Sequence, residues 1–353
     1  MPFPRFFLHE QRCTFTVKCF YYDIKHFMTY DKIETWLTKK LNIRYPVIMA
    51  PMFLVSNTKM LIEAHKAGIT GAIPALNFRT VQEFRKALEI LREAGAGPFG
   101  VNLIANKSNM QLKKQLEVCL DFQVDYIITS LGNPEKIIEA CHKKDMLVFC
   151  DVVDDRYAKK VERAGADALI AVNSGAGGHP GYLPVEKLVP GLLEQTGLPV
   201  ISAGGVATGS QMRKMLEMGV AGVSIGTRFI ATEEAGVSQE YKEALVRYGA
   251  KDVVRTTKIS GVPVTVINTP FIQKTGTKQN AVEAFLNRHK RLKKYAKMLT
   301  VYKGMKLLRK AAFSTTYKRV WVAGPGIEYI HDILPVRDVV ERLIREYKKE
   351  KES

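Results

Sequence analysis

Short apolar runs alternate with amphipathic stretches along most of the chain, from Tyr45 to Phe229. Each run has four to six residues, which is too short for a buried helix but typical of a parallel strand covered on both faces. The pattern predicts eight strands: Val47–Ala50, Thr70–Ala75, Phe99–Leu103, Tyr126–Thr129, Met146–Asp151, Ala168–Val172, Pro199–Ala203 and Gly222–Gly226.

The amphipathic stretches between these runs carry the start and stop signals of helices. Residues suited to begin a helix are Ser56 or Asn57, Thr80, Ser108, Pro134, and Thr208 or Ser210. Glycines stand where a helix should stop before the next strand, at Gly68, Gly95, Gly165, Gly197 and Gly219. Eight strand–helix units are what a closed (β/α)8 TIM barrel of the α/β class requires, with an open doubly wound sheet as the alternative.

The regular alternation covers only part of the chain, and this predicts three regions. Residues 28–235 and 320–350 should form the barrel, with the last helix near Asp338–Lys348. Residues 236–319 read as a basic helical insertion over the barrel mouth, after strand 8. In it we expect a helix near Tyr241–Tyr248, an irregular stretch Thr256–Gly276, and two helical segments broken near Gly304. Residues 1–27, aromatic and basic without a clear period, read as a dispensable extension, with an edge element or a membrane-surface anchor as alternatives.

Composition places this 353-residue chain among globular proteins, with 46% hydrophobic and 25% charged residues. No run approaches the roughly 18 apolar residues that span a bilayer, and no secretory signal is recognisable, so we expect a cytoplasmic protein. The five cysteines form no CxxC pair, which indicates buried thiols rather than disulfides or a metal site. None lies after Cys150, so the later barrel loops hold no thiol nucleophile.

Positive charge is concentrated in one segment. Residues 278–319 contain 13 Lys or Arg and one acid, Glu283, and so contribute +12 to the net charge of +18. A solvated helix face is one interpretation, and attraction to an anionic substrate, an acidic acyl-carrier protein or a membrane surface is another. No nucleic-acid-binding motif accompanies the charge, which disfavours an RNA-binding role.

Candidate site residues follow the predicted strands, because the active site of a TIM barrel lies at the carboxyl ends of its strands. Glycines directly after strands 7 and 8 allow backbone N–H groups to approach a phosphate closely, and a helix N-terminus beside them would add favourable partial charge. The candidate cofactor-binding residues after these strands are Ala50, Pro51, Met52, Asn102, Ser130, Gly177, Gly178, Ala203, Gly204, Gly205, Ser224, Ile225, Gly226 and Thr227.

One histidine stands out from the chain's seven, because His179 directly follows a predicted barrel strand. Small residues surround it, with Gly177 and Gly178 before it and Pro180-Gly181 after it, so a role in core packing is disfavoured. Its side chain titrates near neutral pH and can accept a proton or donate to an anionic oxygen. We expect His179 to be catalytic, with a structural turn histidine as the alternative.

The segments Tyr45–Met52, Ala176–Gly181, Ala203–Gly205 and Gly226–Phe229 together resemble the nitronate monooxygenase family, formerly called 2-nitropropane dioxygenase. This family also contains flavin-dependent enoyl-acyl-carrier-protein reductases and quinone reductases. The resemblance covers roughly residues 30–235, and returns weakly at Trp321–Gly326.

The resemblance implies an FMN-binding barrel with His179 facing the flavin. It assigns FMN contacts to Asn102, Gly177, Gly205 and the stretch Ser224–Thr227, with the last around the phosphate. It implies a nitronate monooxygenase that uses oxygen, or alternatively an NAD(P)H-dependent reductase of enoyl thioesters or quinones, and a homodimer is compatible with either. Val172 stands where many members have Gln or Glu, and Pro325 where the usual motif has Gln, and both departures bear on the substrate.

Overall fold

A computed structural model describes residues 32–106, 109–258, 262–278 and 320–349. Within them eight parallel strands close into a barrel in which each strand pairs with the next and β8 pairs with β1. The strands are β1 Val47–Met49, β2 Thr70–Pro74, β3 Phe99–Ile104, β4 Tyr126–Ser130, β5 Leu147–Val152, β6 Ala168–Val172, β7 Val200–Ala203 and β8 Gly222–Ile225. The predicted TIM barrel is confirmed, and each predicted strand agrees with the structure to within one residue at either end.

Helices follow the strands in the expected alternation. In chain order they are α1 Trp36–Leu41, α2 Thr58–Lys66, α3 Val81–Glu93, α4 Leu112–Asp121, α5 Glu135–His142, α6 Asp155–Arg163, α7 Val185–Gln195, α8 Gly209–Glu217, α9 Thr227–Ile230, α10 Gln239–Arg247, α11 Pro270–Thr275 and α12 Val336–Lys349. Short 3₁₀ turns occupy Ala75–Asn77, Ala250–Asp252 and Pro325–Tyr329. Asn57, Thr80 and Thr208 cap α2, α3 and α8 through their side chains, as predicted.

The start predicted for the helix between β3 and β4 is wrong. The helix α4 begins at Leu112, and the residue before it, Gln111, already has helical backbone angles and makes no side-chain cap. Ser108, the predicted cap, lies outside the described residues. The five predicted stop glycines each lie two residues beyond the last residue of their helix, as expected, and at the end of α7 the cap before Gly197, Thr196, is extended rather than helical.

Side chains in the strands alternate between two cores. One side of each strand packs against the surrounding helices, and the other fills the barrel interior with residues such as Ile48, Tyr126 and Phe149. The helix α1 precedes the first strand, and its residue Leu37 is fully buried in this interior core. A Cβ added at Gly222 would lie 2.6 Å from Leu37 Cδ2, so the start of β8 meets this leucine directly. The helix α1 therefore covers the amino-terminal end of the barrel, opposite the candidate site.

The prediction of an irregular stretch at Thr256–Gly276 is wrong, because this part of the chain contains regular secondary structure. Two strands, β9 Val253–Thr256 and β10 Val264–Ile267, form an antiparallel hairpin, and α11 follows. The run Val264–Ile267 lies outside the regular alternation of strands and helices, so its four residues were not read as a strand.

The remainder of the predicted insertion, including the segments broken near Gly304, lies outside the described residues, as does the predicted extension 1–27. The boundaries of the insertion therefore stay a prediction. Across the described residues, none of the helices has the length and hydropathy needed to cross a membrane.

Candidate active site

The loop after β6 carries His179 and is held to the end of β7 by one side chain. The Asn173 amide donates from Nδ2 to the carbonyl oxygen of Gly204 at 3.0 Å, and its Oδ1 accepts from the N–H of Gly175 at 2.7 Å. Its backbone carbonyl accepts from Ala176 and Gly181, which closes the loop on itself. Asn173 is 2% exposed, so this amide is fixed in position.

The end of β7 has the backbone shape expected of an anion-binding turn. Gly204 and Gly205 have φ of +110° and +81°, which a side-chain-bearing residue rarely adopts. A Cβ added at Gly205 would meet no atom within 4 Å, whereas one at Gly204 would strike Ala176 N at 2.5 Å. Gly205 therefore borders open space, and Gly204 allows the β6 and β7 loops to touch.

Backbone donors at this turn remain available to a ligand. The N–H groups of Gly205, Val206 and Gly226 donate to no other described residue. In the first turn of α8, the Gly209 N–H donates to Glu346 Oε2 at 2.7 Å and the Gln211 N–H donates to Thr208 Oγ1 at 3.2 Å, so these two groups already have acceptors within the protein. The N–H groups of the strand-end loops are therefore the main backbone donors for a phosphate.

The β8 loop and the chain entering α12 meet behind these glycines. Thr227 Oγ1 accepts from the N–H of Gly324 at 3.0 Å, which leaves the hydrogen of the hydroxyl group free to donate. A Cβ on Gly177 would lie 2.8 Å from Gly324 N and 3.1 Å from Thr227 Oγ1. Gly177 thus packs directly between the two segments.

The loop after β1 is braced by side chains on both sides. Ser56 accepts from Met52 N–H at 2.9 Å and donates to Ala50 carbonyl oxygen at 3.2 Å. Asn77 accepts from the N–H of Leu54, whose φ is +58°, and donates to Ser56 carbonyl oxygen. The predicted segment Ala50-Pro51-Met52 therefore has a defined backbone, and it stays partly exposed at the mouth.

Three polar side chains on adjacent strands form a hydrogen-bonded chain inside the mouth. Asn102 of β3 donates to Ser130 Oγ of β4 at 2.7 Å, and Ser130 donates to Asp151 Oδ2 of β5 at 2.5 Å. Burial raises the pKa of Asp151 to about 6, against a smaller lowering by the Ser130 hydrogen bond. The sequence placed Asn102 and Ser130 in the site but missed Asp151, whose signal is an acid that ends an otherwise apolar strand.

His179 lies at the mouth, exposed to solvent, and makes no hydrogen bond to another described residue. The surrounding protein atoms nevertheless desolvate the ring, and this lowers the pKa of His179 below its ordinary value. The imidazole is therefore mainly neutral at pH 7. Its loop is also fixed from above, because Thr265 of β10 donates its N–H to the carbonyl oxygen of Gly178 at 2.7 Å.

The other predicted contacts differ in what they can offer a ligand. The side chain of Ile225 packs into the outer core, so only its backbone can face the site. Ala203 and Ser224 lie on the interior side of their strands, and Gly178 lies between Gly177 and His179 in the β6 loop. Asn173, Asn77 and Gly324 join the site without having been predicted, because their contacts bridge loops that are distant in sequence.

The three buried thiols, Cys119, Cys141 and Cys150, are free, and burial raises the pKa of each. A raised pKa keeps a thiol protonated and unreactive. The prediction of buried, inert cysteines is confirmed for these three.

Comparison with known families gives one model match across most of the chain. The nitronate monooxygenase model matches residues 107–346. Among curated proteins, a probable nitronate monooxygenase of Staphylococcus saprophyticus is 27% identical over 288 residues, which cover 69% of this chain and 81% of that protein. A (3aS,4S,5R,7aS)-5-hydroxy-7a-methyl-1-oxo-octahydro-1H-indene-4-carboxyl-CoA dehydrogenase of Rhodococcus jostii is 28% identical over 261 residues, which are 73% of each chain.

Solved structures give a consistent result. FabK from Thermotoga maritima superposes with a TM-score of 0.79 and 30% identity, covering 91% of this chain and 98% of that one. A nitroalkane oxidase from Streptomyces ansochromogenes superposes with a TM-score of 0.72 at 23% identity, covering 90% and 99%, which supports the fold.

Proposed function

The chain belongs to the nitronate monooxygenase family, and we propose that it is an FMN-dependent enzyme that oxidises alkyl nitronates with oxygen to a carbonyl compound and nitrite. The chain is an oxidoreductase, as its family and relatives indicate, and these also support a flavin cofactor. The observation that carries the proposal is the joining of the His179 loop to the Gly204-Gly205 turn through Asn173.

The strand-end loops fit a flavin phosphate. Gly205, Val206 and Gly226 present N–H groups, and Thr227 a hydroxyl group, beside the open space above Gly205. Oriented backbone N–H groups of this kind favour a bound anion. Asn102 and Ser130 supply polar groups on the opposite side of the mouth, and Ala50–Met52 a braced backbone. These residues would hold FMN across the barrel, and the flavin would supply the capacity to accept electrons from the substrate.

His179 would accept a proton from the substrate or donate a hydrogen bond to its negative charge. Since desolvation lowers its pKa, the neutral ring can accept the α-proton of a nitroalkane or donate one N–H to an anionic nitronate oxygen. A charged imidazolium is not needed for either role. The remaining contribution of the protein is to orient the substrate and exclude water.

A second candidate is an NAD(P)H-dependent reductase of enoyl thioesters or quinones. The 30% identity to FabK across 91% of the chain favours it, and the Rhodococcus relative is named for a CoA-thioester substrate. The basic segment 278–319 would suit an acidic acyl-carrier protein or the phosphates of NADPH. For either reaction we propose a small-molecule substrate, which is a nitronate in the first case and an enoyl thioester or quinone in the second, and a homodimeric enzyme.

The first experiment identifies the cofactor and separates the two reactions. The purified protein should be yellow, and heat-released flavin should elute as FMN on chromatography. Oxygen uptake with propionate 3-nitronate alone would support nitronate oxidation. Anaerobic bleaching of the flavin by NADPH, followed by reoxidation with an enoyl thioester, would support the reductase instead.

Two variants test the site. His179→Ala should keep the flavin but reduce turnover about 10²-fold or more, as loss of a general base does. Gly205→Asp should expel FMN by adding a side chain and a negative charge where the phosphate would lie. A His179→Ala enzyme with unchanged turnover would remove the catalytic assignment.

A further inference from the structure

The partly buried carboxyl group of Asp151 has no part in the function proposed above. Strand alternation places it on the interior side of β5, with Phe149 below it. No described Lys, Arg or His forms an ion pair with it, and Ser130 Oγ at 2.5 Å is its hydrogen-bond donor. A carboxyl group without a cation in a protein interior must be held for a reason other than charge pairing.

The groups around Asp151 set its pKa so that the protonated and ionised carboxyl groups are present in similar amounts near pH 6. Burial raises its pKa to about 6, and Ser130 opposes this by donating to the carboxylate. The other titratable groups that interact with it are Cys150 on the same strand and Tyr157 on α6, whose own pKa values burial raises, so both stay neutral. The ionisation of Asp151 is therefore set by the dry surroundings and one hydroxyl group.

The protonation state of Asp151 determines where the hydroxyl hydrogen of Ser130 points at the mouth of the barrel. When Asp151 is ionised, the Ser130 hydrogen points down to the carboxylate, while Asn102 donates to Ser130 Oγ from the side. When Asp151 is protonated, the carboxyl group can donate to Ser130 Oγ instead. The Ser130 hydrogen is then free to point up, toward a group bound at the mouth.

We propose that Asp151 is a positioning residue that binds one proton and, through Ser130, switches a hydrogen-bond donor toward the bound flavin on and off. The inference rests on the proposed flavin site. The step transfers a single proton between solvent and the Asp151 carboxyl group and involves no electrons. Binding of FMN and protonation of Asp151 must then favour each other by the same factor, since coupling between two binding events is reciprocal.

The test measures flavin affinity against pH in variants matched in shape. Apoprotein is titrated with FMN, and with riboflavin as a probe that lacks the ionisable phosphate, from pH 5 to 8.5 by flavin fluorescence. We expect wild-type affinity for both to fall up to about tenfold as pH rises through 6 to 7, since each unit of pKa shift corresponds to a tenfold change. Asp151→Asn should bind riboflavin with no such dependence, and the exposed control Asp155→Asn should behave as wild type.

Two further measurements separate this role from a purely structural one. The infrared carbonyl band of protonated Asp151, assigned by its loss in Asp151→Asn, should appear near pH 6 in apoprotein and move to higher pH with FMN. Ser130→Ala should keep the band but remove the response to FMN. A band that ignores FMN, or equal pH profiles in wild type and Asp151→Asn, would overturn the inference while leaving the flavin site standing. Failure to bind any flavin would instead refute the proposed function.

Discussion

At the scale of single residues, the site depends on side chains that contact no ligand themselves. Asn173 bonds the partly buried carbonyl of Gly204 and the partly buried N–H of Gly175, and so fixes two loops against each other. An amide is suited to this task because it donates from one atom and accepts at the other. Neither a hydrocarbon nor a carboxylate side chain can make both bonds.

Asn173→Ala should therefore weaken both stability and cofactor binding. Two backbone groups lose their partner, and an unsatisfied buried group costs about 1–3 kcal/mol. We expect the free energy of unfolding to fall by at least that amount and FMN to bind roughly tenfold more weakly, as measured by urea denaturation and flavin fluorescence. The neighbouring Ser174→Ala serves as the control, and similar losses in both variants would contradict the role assigned to the Asn173 amide.

His179 makes a prediction about pH at the same scale. Its folded pKa lies below the ordinary 6.5 because burial disfavours the charged ring. The base form is thus present above that pKa and is lost as pH falls through it. With a nitroalkane substrate, kcat/KM should stay level near pH 7 and decline about tenfold per pH unit only at pH values below the ordinary histidine pKa of about 6.5. A preformed nitronate, which has already lost its proton, should not show this acid limb, and a decline that begins above pH 7 would contradict a lowered pKa.

At the scale of elements, the sequence predicts the barrel well and its cross-connections poorly. Strands buried on both faces appear as continuous apolar runs, and caps such as Thr80 and Thr208 mark the helices, because both signals are local. The sequence did not predict the hairpin of β9 and β10. Its strand β10 is held by pairing with Gly178 and Val322, which are distant in sequence, and this pairing leaves no local pattern. The same holds for Gly324, whose contacts with Thr227 and Gly177 join segments far apart in sequence.

The contact between the β9–β10 hairpin and the His179 loop can be tested by mutation. The Thr265 N–H donates to the carbonyl oxygen of Gly178, next to His179, so removing it should loosen the catalytic loop while the loops after β7 and β8 stay unchanged. Thr265→Pro lacks this donor, whereas Thr265→Ala keeps it and serves as the matched control. We expect turnover of the proline variant to fall on the order of tenfold with FMN still bound, since small displacements of a catalytic group reduce rate steeply. Equal turnover in the two variants would show that the hairpin does not position His179.

At the scale of the whole molecule, the two ends of the barrel have different tasks. The carboxyl ends of the strands hold the polar groups, open glycines and His179, while the amino-terminal end is closed by α1 with apolar side chains. Trp36 of α1 meets Phe149 edge-on with 6.1 Å between ring centroids, and Phe149 in turn stacks on Tyr126. Packing therefore continues from α1 to the middle of the barrel, directly below the Asn102–Ser130–Asp151 chain. Stability is thus expected to depend on this end, and chemistry on the other.

Leu37→Ala tests that division. The side chain is fully buried, and truncating a buried leucine costs about 2–5 kcal/mol through lost burial and the cavity left behind. Urea denaturation should show this loss, while kcat of the folded enzyme at low temperature stays close to wild type. Lys40→Ala, exposed on the same helix, should change neither property. Removing residues 1–27 should also leave the unfolding midpoint unchanged if the extension is dispensable. A loss of activity in Leu37→Ala without a loss of stability would mean that α1 acts on the site through the interior core rather than by closing the barrel.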